Sequence, residues 1–141
     1  MSPKSCQGLV GYATLFVLLI GFSAGIALAD GGKDLYIRQD KFRAQFAADV
    51  SERDAKLIAA TQRPIRDAAG NEASGPPAWK TVPSFFIYGA LDKNIPPAAQ
   101  VFMAQRAGSR QTVEIKGASH VVMTSHPDAV ARLVTVAADM K

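Results

Sequence analysis

The most apolar part of the chain is its N-terminal stretch. No charged residue occurs between Leu9 and Ala29, Lys4 precedes this stretch, and the small-residue tripeptide ALA closes it at positions 27–29. A positive start, an apolar middle and a small-x-small end are the parts of a secretory signal. The pattern predicts an N-terminal apolar helix within residues 1–29. This segment either is removed when the protein is exported to the periplasm or the medium, or stays as an anchor that contacts the membrane.

A helical pattern of apolar residues follows, from Asp34 to about Gln62. Its first stripe consists of Phe42, Phe46, Ala47 and Val50. Ser51 has an acid three residues later, which is typical of the start of a second helix. Pro64 ends that helix, and a polar stretch rich in Gly and Pro runs from 68 to 77. Residues 34–82 are therefore predicted to be a helical segment with a linker.

The pattern changes after Pro83. Ser84–Tyr88 is a short apolar and aromatic run, as expected for a strand buried on both faces. A helix with proline in its first turn follows it, then a second strand at Gln111–Ile115 and a last helix opened by Ser125. Strand, helix, strand and helix in this order predict a parallel βαβα unit over residues 83–141, and so an α/β fold.

Each predicted strand is followed by a loop that carries a residue capable of acid–base chemistry. Asp92 follows the first strand and His120 follows the second. Ligand sites of open parallel sheets lie at these carboxyl ends, so the two side chains are expected to meet. The carboxylate would then accept a hydrogen bond from Nδ1 of the imidazole, which leaves Nε2 free to act as a base.

Each of these polar residues also has a purely structural interpretation. Asp92 precedes Asn and Pro and could serve only the turn, whereas no packing or capping role accounts for His120. The other histidine, His126, stands at a helix start, which explains it without a functional role. Ser119 and Ser125 lie near His120 in sequence, but neither has the surroundings of a nucleophile.

One serine does stand in a nucleophile-like motif. Ser23 is the centre of GFSAG at residues 21–25, a G-x-S-x-G preceded by four apolar residues. A nucleophile elbow needs a strand before the serine and a helix of several turns after it. The glycines at Gly31 and Gly32 leave no room for such a helix. Ser23 is therefore either a catalytic nucleophile without its usual support or part of the exported segment.

Composition narrows the range of functions. The net charge of +4 is spread along the chain and interleaved with acids, which argues against nucleic-acid binding. The single cysteine, Cys6, precedes the apolar stretch, so neither an internal disulfide nor a cysteine-based metal site is possible. Two histidines without clustered acids form a poor metal ligand set, and no cofactor motif is present. We expect neither metal nor cofactor.

Together these features resemble the C-terminal part of the α/β-hydrolase family. The loop with Gly89, Asp92 and Pro96 is similar to the loop of the catalytic acid, and GASH at 117–120 is similar to the histidine loop. Residues 42–79 resemble the helical cap of small members. The resemblance implies a triad in which Asp92 is the acid and His120 the base. The half of the family fold that carries the nucleophile elbow has no counterpart before the cap-like segment.

Two functions follow from this resemblance. The first is an ester or acyl hydrolase that acts on a small apolar substrate, with Ser23 or a serine of a partner chain as nucleophile. The second is a truncated and catalytically inactive homologue, exported or membrane-anchored. Because two parallel strands leave sheet edges and apolar faces uncovered, we also expect a marginally stable chain or a homodimer that exposes apolar surface around Ser84–Tyr88.

Overall fold

The computed structural model describes residues 23–140. It begins with a three-stranded antiparallel sheet made of β1 (Ser23–Ala27), β2 (Lys33–Ile37) and β3 (Ile65–Arg66), in that order across the sheet. A tight turn joins β1 to β2, with Gly31 at φ 83° and the Gly32 amide donating to the Asp30 carboxylate. These glycines form a hairpin turn, because the left-handed conformation suits a residue without Cβ.

The expectation of helix from Asp34 onward is wrong for its first residues. Asp34 to Ile37 belong to β2, where Tyr36 pairs with Ala24 and Leu35 with Gly25. A run of leucine, tyrosine and isoleucine favours a strand once a neighbouring strand is available, so tertiary pairing decides its conformation. The described end of the predicted N-terminal segment, residues 23–29, is likewise strand and turn. Residues 1–22, where the rest of that segment falls, lie outside the described residues.

Between β2 and β3, the cap-like segment contains two helices, α1 (Gln39–Phe46) and α2 (Glu52–Thr61). The hydroxyl of Ser51 accepts a hydrogen bond from the Asp54 amide at 3.1 Å, which confirms the predicted capping serine of α2. The main hydrophobic cluster lies between these helices and the C-terminal part of the chain. It consists of Phe42, Ala47, Val50, Ala55, Ala59 and Val121.

The C-terminal part has the predicted order of strands and helices. It comprises β4 (Phe85–Gly89), α3 (Pro97–Arg106), β5 (Gln111–Ile115), the short α4 (Val122–Ser125) and α5 (Pro127–Asp139). Strands β4 and β5 pair in parallel, with Ile87 opposite Val113. The parallel βαβα unit is therefore confirmed, and both strands end at the same edge of the sheet.

The parallel sheet has two strands within the described part of the chain. As a result β4 is not buried on both faces as expected: Phe85, Phe86 and Ile87 are only partly buried, whereas Tyr88 is buried. On α3, Val101 and Phe102 also expose much of their side chains. Over residues 23–140, none of the helices combines the length and the apolar character that a membrane span requires.

Candidate functional site

The loop directly after β4, residues 90–96, is called the acid loop here because it holds Asp92. The side chain of Asp92 is 2% exposed. Its Oδ1 accepts two backbone hydrogen bonds, from the Asn94 amide at 2.8 Å and from the Ile95 amide at 2.9 Å. An aspartate that binds the amides two and three residues ahead of it forms its own turn. Asp92 thus stabilises its own turn, as its position before Asn and Pro predicted, and this role uses only Oδ1. Oδ2 remains available for another partner.

The histidine loop follows β5 and is tied to the acid loop through the backbone. The Ala90 amide donates to the Ile115 carbonyl and the Leu91 amide to the Ala118 carbonyl, both at 2.9 Å. Gly117 adopts φ 78°, a left-handed conformation that glycine takes without strain. These links fix the spacing of the two loops at the sheet edge.

Gly89 lets the two loops approach closely. A Cβ atom added at Gly89 would lie 2.1 Å from the Ser119 carbonyl oxygen and 2.4 Å from the Ala118 carbonyl oxygen. Both distances are far below van der Waals contact, so a side chain at this position would push the histidine loop away. The end of β4 therefore needs glycine because of what it packs against.

The two loops bring Asp92 and His120 into direct contact. Nδ1 of His120 lies 2.7 Å from Oδ2 of Asp92. Gln100, on α3, approaches the same oxygen at 3.4 Å. An ionised carboxylate can only accept, so Nδ1 carries the proton in this hydrogen bond and Nε2 holds the lone pair. The predicted meeting of the acid and the imidazole is confirmed.

The electrostatics of Asp92 suit a permanent anion. Burial raises its pKa, but the hydrogen bond from His120 and the amides of Ile95 and Asn94 outweigh burial, so the pKa lies below the usual value of 3.8. Asp92 is therefore ionised at neutral pH and accepts the hydrogen bond from Nδ1 of His120. The His120 side chain is 23% exposed, so its ring can be reached from solvent.

The end of α1 covers one side of the pair. The Phe46 ring packs against the His120 ring with centroids 4.5 Å apart and planes inclined by 46°. One residue earlier, the buried side chain of Gln45 donates to the Lys93 carbonyl in the acid loop at 2.7 Å. The sequence predicted Phe46 as part of an apolar stripe but gave no signal for its contact with the imidazole.

A second carboxylate lies beside the histidine loop. Asp49, in the loop after α1, accepts a hydrogen bond at Oδ1 from the Ser119 hydroxyl. Its Oδ2 lies 3.8 Å from Nδ1 of His126. Asp49 has no signal in the sequence, because no local spacing relates it to a serine 70 residues later.

The remaining predicted residues occupy other places. His126 stands at the N-cap position of α5, and its Nδ1 lies 2.9 Å from the Ser125 hydroxyl. Ser125 does not cap α5 as expected, since the helix starts at Pro127 and receives no side-chain cap. The backbone of Ser23 lies in β1 opposite Ile37, and a strand rather than a helix follows it. The catalytic role of Ser23 stays a prediction.

Across residues 23–140, His, Cys, Asp and Glu nowhere form a group of three or more that could hold a metal ion. Asp92 and His120 form a hydrogen-bonded pair, in which the buried carboxylate fixes the orientation of the imidazole.

Comparisons with solved structures identify similar folds. Polyneuridine aldehyde esterase matches with 20% identity and a TM-score of 0.69, over 83% of this chain and 48% of that one. A mutant of that esterase matches with 17% identity and a TM-score of 0.70, over 96% and 58%. A methylesterase from Arabidopsis matches with 16% identity and a TM-score of 0.66, over 83% and 52%. The chain thus spans about half the length of these proteins.

Sequence comparison gives a family but no close relative. None of the curated proteins matches the chain significantly. The sequence model described as "Alpha/beta hydrolase family" matches residues 8–133, which is most of the chain. Together with the parallel βαβα unit, this match shows that the chain belongs to the α/β-hydrolase family.

Proposed function

We propose that the chain is an ester or acyl hydrolase in which His120 is the general base and Asp92 is the acid of a Ser-His-Asp-type triad. The observation that carries this proposal is the 2.7 Å contact between His120 Nδ1 and the buried Asp92 carboxylate. A turn alone requires only Oδ1 of Asp92. The second oxygen, aimed at a solvent-accessible imidazole, suits a role in proton transfer.

The proposed reaction has two halves, and in each half His120 first takes up a proton and then gives it away. Nε2 of His120 takes the proton of a serine hydroxyl as its oxygen attacks the acyl carbon, and the carboxylate of Asp92 stabilises the imidazolium that forms. The imidazolium then gives its proton to the leaving alcohol, and an acyl-enzyme remains. A water molecule, deprotonated by the same Nε2, releases the acid and regenerates the serine.

The surroundings of the imidazole and the names of the similar structures both indicate a class of substrate. The aromatic ring of Phe46 lies against His120, so the approach to the base is partly apolar. The similar solved structures are, by their names, polyneuridine aldehyde esterase and a methylesterase. These points favour a small ester with an apolar acyl or alcohol group as the substrate.

The nucleophile separates the two candidate functions. Ser23 lies within the residues that the family model matches, which favours it as the nucleophile. The strand after Ser23, where an elbow has a helix, favours the alternative of an inactive homologue. Export or anchoring of that homologue is a separate proposal, which the uncharged apolar stretch from Leu9 to Ala29 suggests. A serine supplied by a partner chain would reconcile an active site with that strand.

Hydrolysis of short-chain p-nitrophenyl esters tests the proposal. We expect wild-type protein to hydrolyse them, and His120→Gln and Asp92→Asn to lose about 10³- to 10⁴-fold in kcat, the usual effect of disabling a triad member. His126→Gln is the matched control and should retain wild-type activity, since His126 contacts neither Asp92 nor His120 in the described part of the chain.

Ser23→Ala distinguishes the sources of the nucleophile. Loss of activity in this variant assigns the nucleophile to this chain. Activity that persists in Ser23→Ala, but not in His120→Gln, points to a serine elsewhere. A wild-type protein that is folded and hydrolyses no ester would support the inactive homologue instead. The mass of the protein purified from its host then shows whether the segment 1–29 is removed.

A further inference from the structure

The loop after α1 carries a partly buried carboxylate that the proposed reaction does not use. The side chain of Asp49 is 14% exposed, and its Oδ1 accepts from the Ser119 hydroxyl. Ser119 is itself 2% exposed and directly precedes His120 in the chain. A partly buried anion and a buried hydroxyl are thus paired immediately next to the residue that would act as base.

The hydroxyl of Ser119 has two acceptors within reach but only one proton. The Phe46 carbonyl oxygen lies 3.2 Å from Oγ, and the Asp49 carboxylate is nearer. A charged acceptor at shorter range forms the stronger hydrogen bond, so the proton points to Asp49. The ring of Phe46 packs on the ring of His120. The stretch from Phe46 to Asp49 therefore contacts both His120 and the residue before it, Ser119.

Asp49 carries its charge at neutral pH. Burial raises its pKa, and the hydroxyls of Ser119 and Ser125 together with the Ser119 amide lower it further than burial raises it. Oδ2 makes no direct hydrogen bond within the described residues, and the nearest cationic candidate is His126, 3.8 Å away. The carboxylate therefore directs its main interaction at Ser119.

We propose that Asp49 is a positioning residue for this site, which fixes Ser119 and, through it, the backbone from which His120 projects. The inference rests on the proposed function, because ester hydrolysis is the reaction that needs the imidazole in place. Asp49 touches no reacting atom. Its effect arises because a displacement of about 1 Å at a catalytic group can cost about 100-fold in rate.

The test compares Asp49→Asn with a matched control on the same protein. The control is Asp54→Asn, since Asp54 also accepts a serine hydroxyl, that of Ser51, at 2.7 Å, but in the exposed cap of α2. Asp49→Asn should lower kcat for ester hydrolysis by about 10- to 100-fold with KM within about threefold, while Asp54→Asn keeps both values. Ser119→Ala removes the same hydrogen bond from the other side and should act like Asp49→Asn.

The second readout is the NMR signal of the His120 Nδ1 proton, which does not require turnover. In the folded variants, Asp49→Asn and Ser119→Ala should broaden or lose this signal through faster exchange with water, and Asp54→Asn should keep it. If wild-type protein hydrolyses no ester, the proposed function fails, and this signal alone decides the role of Asp49. An unchanged signal and unchanged kcat in both Asp49→Asn and Ser119→Ala would overturn the inference.

Discussion

Replacing Gly89 by alanine should disrupt the site from a position that has no chemistry of its own. The new Cβ would lie 2.1 Å from the Ser119 carbonyl oxygen, whereas side-chain carbons do not come within 3.0 Å of such atoms. The histidine loop must therefore retreat by about 0.9 Å or β4 must bend. Because the atoms that the new Cβ meets belong to the backbone of the histidine loop, they cannot move aside as a flexible side chain could. We therefore expect a loss of about 2–3 kcal/mol in the free energy of unfolding. For a domain of this size, Tm should fall by about 8–15 °C.

Gly75→Ala provides the control for this experiment. An alanine Cβ at Gly75 would meet no atom within 4 Å, so this variant should unfold within about 1 kcal/mol of wild type. Urea unfolding followed by circular dichroism measures both free energies. In Gly89→Ala the retreat of the loop should also lower ester hydrolysis by about 100-fold under conditions where the variant is folded. Equal stability of the two variants would refute the idea that the loops are in contact at Gly89.

Three further predictions concern stability and association. Asp92 has a lowered pKa, so its ionised form stabilises the fold at pH values above the usual 3.8, and this contribution is lost as the pH falls through the lower pKa of the folded state. When urea unfolding is measured from pH 6 downward, the free energy of unfolding should therefore depend less on pH in Asp92→Asn than in wild type. Equal slopes of this free energy against pH would contradict the prediction. Ser51→Ala should cost about 1 kcal/mol in thermal unfolding, because it removes the cap of α2, and an unchanged Tm would show that the cap contributes nothing. Within residues 23–140 the β4–β5 sheet has open edges and Phe102 is exposed, which predicts a dimer or a dye-binding, marginally stable chain; sedimentation of a cooperative monomer without dye binding would contradict that.

The position of the pair could be predicted from sequence because topology alone determines it. Two parallel strands end at one edge, so Asp92 and His120, each just past a strand, must come close. The cap of α2 at Ser51 was predictable for a related reason, since capping depends on a few adjacent residues. The first prediction needs only the order of strands and helices, and the second needs only a few adjacent residues. Neither depends on how distant side chains pack.

Other features depend on contacts between distant residues. The run at Lys33–Ile37 became a strand through its pairing with Ser23–Ala27, and the sequence alone did not reveal that partner. Asp49 meets Ser119 only after the cap-like segment has packed on the histidine loop. The need for glycine at Gly89 likewise arises from the carbonyl groups it faces, which lie some 30 residues later. Such contacts have no periodicity or motif by which to find them.

The claim that Asp92 and His120 are the acid and base of a serine-hydrolase site can be tested by covalent labelling with a serine-directed phosphonate. Wild-type protein and His126→Gln should form an adduct on a serine, which peptide mass spectrometry can locate. His120→Gln and Asp92→Asn should lose the adduct because the serine is no longer deprotonated. Equal labelling of wild type and His120→Gln, or no labelling of folded wild-type protein, would contradict the claim.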